Sequence, residues 1–280
     1  MTHWIPVADF DAAYDNSGAV QRSDTFVPRW QREASAFRDA MEGRRRSEID
    51  LAYGAHERQK LDLFHPEGSA RGLVVFVHGG YWKALDKSVW SHLARGAVES
   101  GFAVAMPSYR LAPEARLTEI ADDVAQAIAL AASRIEGGIR LVGHSAGGHL
   151  VARMVAAGSP LPGPVLARVD RVVPISGLHD LRPIRRTRMN DTLRIDAAEA
   201  LAQSPALLEP LHICPIHAVV GAAELPELRR QTHFLASAWS GLGVPVEAAD
   251  IPDRHHFDVI EDLALSGSQI TRVLTSGASL

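Results

Sequence analysis

Ile139-Arg140-Leu141-Val142-Gly143-His144-Ser145-Ala146-Gly147-Gly148-His149-Leu150-Val151 decides the reading of the fold. It opens as a short apolar run, turns through G-x-S-x-G, and continues in a helical pattern. A G-x-S-x-G between strand and helix is a nucleophile elbow. Such a turn holds its serine in a strained backbone conformation, and glycines two residues either side let strand and helix pass closely. Ser145 is thereby expected at the carboxyl end of a strand. The amide of Ala146 then lies at a helix N-terminus, ready to receive an oxyanion.

Outward from the elbow, short apolar runs alternate with helical patterns from about residue 49 onward. The spacing predicts strands at Lys60–His65, Gly72–Val77, Phe102–Met106, Ile139–Val142, Val169–Ile175, Ile216–Val220 and Val246–Ile251. It predicts helices at Ser88–Ser100, Thr118–Glu136, Gly147–Ala157, Glu227–Ser240 and Asp258–Thr275. In the second helix Ile120, Val124, Ala127, Ile128, Ala131 and Ile135 recur at helical spacing. Leu73-Val74-Val75-Phe76-Val77 is apolar on both faces, as a strand covered on both sides must be. The expected class is α/β: a mostly parallel, doubly wound sheet with helices on both faces, binding its ligand at the strands' carboxyl ends.

Two regions stand outside the alternation. Residues 1–48 carry Trp4, Phe26, Trp30 and Phe37 among many charges and read as an arm of helix and loop. Residues 178–212 follow a strand end at Ser176-Gly177 and read as an insertion forming a lid above the sheet. With no internal repeat or low-complexity linker, one domain is expected over 1–280.

Composition narrows the function. At 46% apolar and 22% charged residues, 280 residues can bury a large core. A net charge of −4 supplies no basic field for nucleic acid, and Arg44-Arg45-Arg46 is too short for a polybasic anchor. The single cysteine, Cys214, cannot form an internal disulfide, which fits a reducing compartment. It precedes Pro215 at a strand start and reads as a buried small hydrophobe. Met1–Pro6 has neither the basic nor the apolar region of a signal peptide, and no apolar run approaches a bilayer span. A cytoplasmic protein without membrane partners is the expectation.

A serine hydroxyl needs a base within hydrogen-bond reach, itself oriented by a carboxylate. On this kind of sheet the chain order is serine, acid, histidine. Glu224 follows the strand Ile216–Val220, and His256 follows Val246–Ile251 on the next loop, so Ser145, Glu224 and His256 satisfy the order. Asp250 and Asp253 are rivals by composition but lie too near the histidine in sequence. His255 competes with His256, and Phe257 with the apolar helix after it favours His256. His78-Gly79-Gly80-Tyr81-Trp82 follows the most hydrophobic strand, so the amides of Gly80 and Tyr81 join that of Ala146 as an oxyanion hole. His78 is expected to brace that loop. The remaining histidines lack metal-ligand spacing, so neither metal nor cofactor is expected.

These residues resemble an α/β-hydrolase, and within that class the kynurenine formamidases, over almost the whole chain. Carrying the resemblance are Tyr53-Gly54, Leu61-Asp62-Leu63-Phe64, the His78–Trp82 loop and the elbow with His149-Leu150. So do Ser176–Ile184, Ser204-Pro205, Glu224–Gln231 and His256-Phe257-Asp258. The resemblance implies Ser145 as nucleophile, Glu224 as orienting acid and His256 as general base. One departure stands out: the family usually carries aspartate where this chain has Glu224, which is one methylene longer.

The implied reaction is metal-independent hydrolysis of an N-formyl arylamine, foremost N-formyl-L-kynurenine, through a formyl-serine. Tyr81 and Trp82 stand where many esterases have another glycine. Their rings either narrow the acyl side and offer a face to the aryl substrate, or pack the loop on the core. The rival readings are a carboxylesterase for small esters and a hydrolase-fold binding protein without catalysis. The expected partner is a small aryl formamide, with a homodimer left open.

Overall fold

Eight strands assemble into one sheet in the computed structural model, which describes residues 6–211 and 214–280. They are β1 (Ser47–Ala52), β2 (Lys60–Phe64), β3 (Leu73–Val77), β4 (Ala103–Pro107), β5 (Ile139–His144), β6 (Val169–Ile175), β7 (Ile216–Gly221) and β8 (Val246–Ile251). Their order is β1-β2-β4-β3-β5-β6-β7-β8. β2 is antiparallel to both β1 and β4, and every other pairing is parallel. The elbow therefore rises from β5 between β3 and β6, and the acid and histidine loops follow β7 and β8 on one side.

The all-apolar strands are explained by two cores. Leu73, Val75 and Val77 of β3 point into one, while Val74 and Phe76 point into the other, as the two-residue period of a strand requires. The first core is closed by the helices Leu117–Arg134, Ala146–Arg153 and Pro226–Ser240. The second is closed by Phe26–Gly43, the turns over Lys87–Ala94, Arg95–Glu99 and Gln269–Ser276. In Leu117–Arg134 the Glu119 carboxylate accepts the Arg116 amide (2.8 Å) and starts the helix. Its Ile120, Val124 and Ile128 are fully buried, each favoured by roughly 1.5–3 kcal/mol on transfer from water.

Some boundaries differ from the sequence reading. β1 was not anticipated; a register shift between Glu48 and Leu51 interrupts its alternation, and Asp50 there has φ 58°. Ser88–Ser100 divides into 3-10 turns and a short helix. Asp258–Thr275 becomes a 3-10 turn at Glu261–Ala264 and a helix at Gln269–Ser276, capped where Ser268 Oγ accepts the Thr271 amide (3.2 Å). The arm holds the helix Phe26–Gly43, whose Trp30 and Phe37 are buried; Trp4 lies outside the described residues.

The segment read as a lid folds into short helical turns and is tied down, with Leu181 N donating to Ser204 Oγ (2.8 Å). Trp239 Nε1 donates to the carbonyls of Pro205 and Leu208, both at 3.1 Å. Residue 212 lies outside the described part. Among the described residues no helix is long and apolar enough to cross a membrane.

Candidate active site

Ser145 sits at the elbow with φ 57° and ψ −117°, a conformation that costs a non-glycine residue on the order of 1–3 kcal/mol. Packing enforces it. A β-carbon on Gly143 would lie 2.3 Å from the Gly147 carbonyl oxygen, and one on Gly147 would lie 1.9 Å from that of Val77. Any larger residue would drive strand and helix apart. The Ser145 amide donates to the Ile175 carbonyl (2.8 Å), pinning the turn to the end of β6.

Glu224 and His256 meet as the chain order predicts, with His256 Nδ1 2.7 Å from Glu224 Oε2. That leaves Nε2 as the ring nitrogen the carboxylate does not engage. Glu224 lies in a turn in which its amide donates to the Gly221 carbonyl (3.1 Å). Its carboxylate folds back so that Oε1 accepts from Gly221 N (2.8 Å) and Ser176 Oγ (2.5 Å). The side chain is fully buried, so both oxygens are satisfied where water does not reach.

His144, next to the nucleophile, ties this pair to the elbow. Its Nε2 donates to the His256 carbonyl (2.9 Å), and the two rings lie 4.5 Å apart. Burial and the neighbouring His256 hold its pKa well below the usual histidine range, so it is a neutral donor. The rivals sit elsewhere. Asp250 is bound by Arg229 (2.6 Å) and His233 (2.8 Å), and Asp253 is exposed in a turn. His255 accepts the Phe257 amide (3.2 Å) and meets the Phe26 ring edge-on.

The loop after β3 abuts the serine: a β-carbon on Gly79 would lie 3.1 Å from Ser145 Cβ. Among the described residues the amides of Gly80, Tyr81 and Ala146 have no acceptor within the protein. They are free donors on the loop after β3 and at the start of the elbow helix. His78 braces the loop, stacked on Tyr109 at 4.4 Å with Nδ1 2.7 Å from the Gly79 carbonyl. Burial lowers its pKa to about 4, which keeps it neutral.

One expectation is corrected. Trp82 offers no face to a substrate, because it is fully buried with Nε1 donating to His149 Nδ1 (3.2 Å) and its ring edge-on to that histidine. It packs the loop onto the elbow helix. Tyr81 is half-buried and directs its hydroxyl to the Tyr14 carbonyl of the arm (2.6 Å). Ser176 was missed as a site residue. Its signal was a hydroxyl at the carboxyl end of β6, the strand between those of the serine and the acid.

Comparisons with known proteins bear on the fold and the family. Residues 74–258 match the family described as having an alpha/beta hydrolase fold. A kynurenine formamidase of Danio rerio is 31% identical over 235 residues, 81% of this chain and 80% of that protein. One of Salmo salar is 30% identical over 81% of this chain and 80% of its own. A crystal structure of a protein from Silicibacter sp. TM1040, provisionally assigned as a thioesterase, has a TM-score of 0.91. It is 46% identical and covers 95% of this chain and 99% of its own. The elbow, the oxyanion loop and the paired acid and histidine thus stand on a chain that belongs to the kynurenine formamidase family of α/β-hydrolases.

Proposed function

We propose that this chain is a serine hydrolase that cleaves N-formyl arylamines, foremost N-formyl-L-kynurenine, to the free amine and formate. The buried Glu224–His256 hydrogen bond beside the strained Ser145 is the observation that carries the reading. Ser145 Oγ attacks the formyl carbon while His256 Nε2 takes its proton. The carbonyl oxygen becomes an oxyanion on the amides of Gly80, Tyr81 and Ala146. The C–N bond then breaks, the nitrogen leaves with the proton held by His256, and a formyl ester remains on Ser145. Water adds to that ester by the same steps in reverse and releases formate. Glu224 stays ionised throughout and stabilises the imidazolium. An arylamine leaves more readily than an alkylamine, so this sequence of steps needs no metal.

Hydrolysis of small esters or thioesters is the second reading, favoured by the provisional name of the 46% identical structure. A formyl-serine and an acetyl-serine form by the same steps, so the triad does not separate them. Comparing kcat/KM for N-formyl-L-kynurenine, p-nitrophenyl acetate and an acetyl thioester does. The formamide is expected to lead by at least about tenfold, and within one arylamine series formyl should exceed acetyl and acetyl exceed butyryl. An extra methylene in a tight pocket costs about 1–3 kcal/mol. Preference for the ester, the thioester or the butyryl compound contradicts the formamidase reading and leaves the serine mechanism standing.

A further inference from the structure

The oxyanion loop follows an unusual path. After Gly80 at φ 117°, Tyr81 (φ 48°) and Trp82 (φ 54°) both lie in the left-handed region. Non-glycine residues hold that conformation only where their surroundings impose it. Trp82 is fixed from the elbow side by its bond to His149, which in turn lies 2.6 Å from the Gln203 carbonyl through Nε2. Tyr81 is fixed from the opposite side, by the N-terminal arm.

The phenol of Tyr81 donates to the Tyr14 carbonyl (2.6 Å) and accepts from Asn16 Nδ2 (2.9 Å). Tyr14 and Asn16 are both buried. Among the described residues the Asn16 side chain makes only this hydrogen bond, its Oδ1 being buried without a partner. Tyr14 is anchored in turn. Its hydroxyl donates to Glu227 Oε2 (2.9 Å) and accepts from Gln231 Nε2 (3.0 Å), both on the helix that follows Glu224. Gln231 continues to the segment after β6, through the Asp180 carbonyl (2.8 Å) and amide (2.5 Å). The arm thus joins the loop after β3, the segment after β6 and the helix that follows the Glu224 loop.

We propose that Tyr14 and Asn16 are positioning residues for the oxyanion hole, acting through the Tyr81 hydroxyl to hold the free amides of Gly80 and Tyr81 where the oxyanion forms. This rests on the serine-hydrolase reading of the site but not on whether its substrate is a formamide or an ester. Loosening the tether weakens bonds that matter most in the transition state, so kcat falls while KM holds.

The test uses the full chain with Tyr81→Phe, Asn16→Ala and the double variant, assayed on N-formyl-L-kynurenine and p-nitrophenyl acetate. A Ser145→Ala control that keeps wild-type turnover reports failure of the serine reading separately from failure of this proposal. Each single variant should lose about 5- to 50-fold in kcat on every substrate turned over, with KM within about twofold, because one loosened donor costs less than one removed. Inhibition by an aryl boronic acid, which places an oxygen in the hole, should weaken by the same factor. The double variant should be no worse than Tyr81→Phe alone, since Asn16 acts through that hydroxyl. Unchanged kcat, a change confined to KM, or losses that multiply in the double variant overturn the proposal. Should Tyr81→Phe fail to fold, the split between kcat and KM in Asn16→Ala, with its boronate affinity, decides the matter.

Discussion

Glu224 meets His256 from a turn closed on Gly221, and its buried carboxylate gives its second oxygen to Gly221 N and Ser176 Oγ. An orienting carboxylate selects the histidine tautomer and stabilises the imidazolium, and losing its charge costs about ten-thousandfold in turnover. Glu224→Gln is therefore expected to be nearly inactive, and Glu224→Asp to keep measurable activity. Ser176→Ala removes one hydrogen bond to a charged group, about 1.5–3 kcal/mol, and should lower kcat roughly ten- to hundredfold. Asp250→Asn and Asp253→Asn should stay within about tenfold. Steady-state kinetics on the purified variants checks the set, and an inactive Asp250→Asn beside a normal Glu224→Gln would move the acid elsewhere. The elbow at Ser145 and the pairing of Glu224 with His256 were legible because chain order and strand ends place them. Ser176 was not, because its role depends on a side-chain direction that no spacing encodes.

Among the elements, the arm's helix Phe26–Gly43 packs directly against the histidine loop. Trp30 lies 4.6 Å from the Trp90 ring and 6.0 Å from Phe257, and Phe26 touches both His255 and Phe257. Trp30 is fully buried, so Trp30→Ala should cost about 3–5 kcal/mol, read as a lowered urea midpoint. A loss below about 1 kcal/mol would show that the arm is not part of the cooperative fold. The helix Leu117–Arg134 was readable from its apolar period, and central strands such as β3 from short runs apolar on both faces. β1 hid its period behind the irregularity at Asp50. The last helix was read too long because Ser268, which caps the segment from Gln269, was taken as helix interior. The apolar face of Ser88–Ser100 was legible in Trp90, Leu93, Ala94, Ala97 and Val98, all buried, but its division into turns was not.

The whole molecule shelters several buried histidines held neutral. Burial lowers the pKa of His78, His92 and His149 to about 4 and of His179 to about 3, and holds His144 well below its usual value. Unfolded, each takes a proton near pH 6.5, so below that pH the unfolded chain binds more protons than the folded one. Stability is fully present above about pH 6.5 and falls as pH drops toward 4, by up to about 1.4 kcal/mol per pH unit for each histidine. Unfolding midpoints recorded from pH 7.5 to 4.5 should fall steeply, and a flat profile over that range contradicts the burial of these groups as neutral imidazoles. The central claim, that Ser145 carries the formyl group of an aryl formamide, is tested most directly by one comparison. N-formyl-L-kynurenine hydrolysis by the wild-type chain is measured beside that by Ser145→Ala, with kynurenine and formate both quantified. The wild type should release the two products in equal amounts, and the variant should lose on the order of a millionfold in turnover while keeping its fold. A folded Ser145→Ala with turnover within tenfold of wild type, or a wild type inert toward this formamide, would contradict the account.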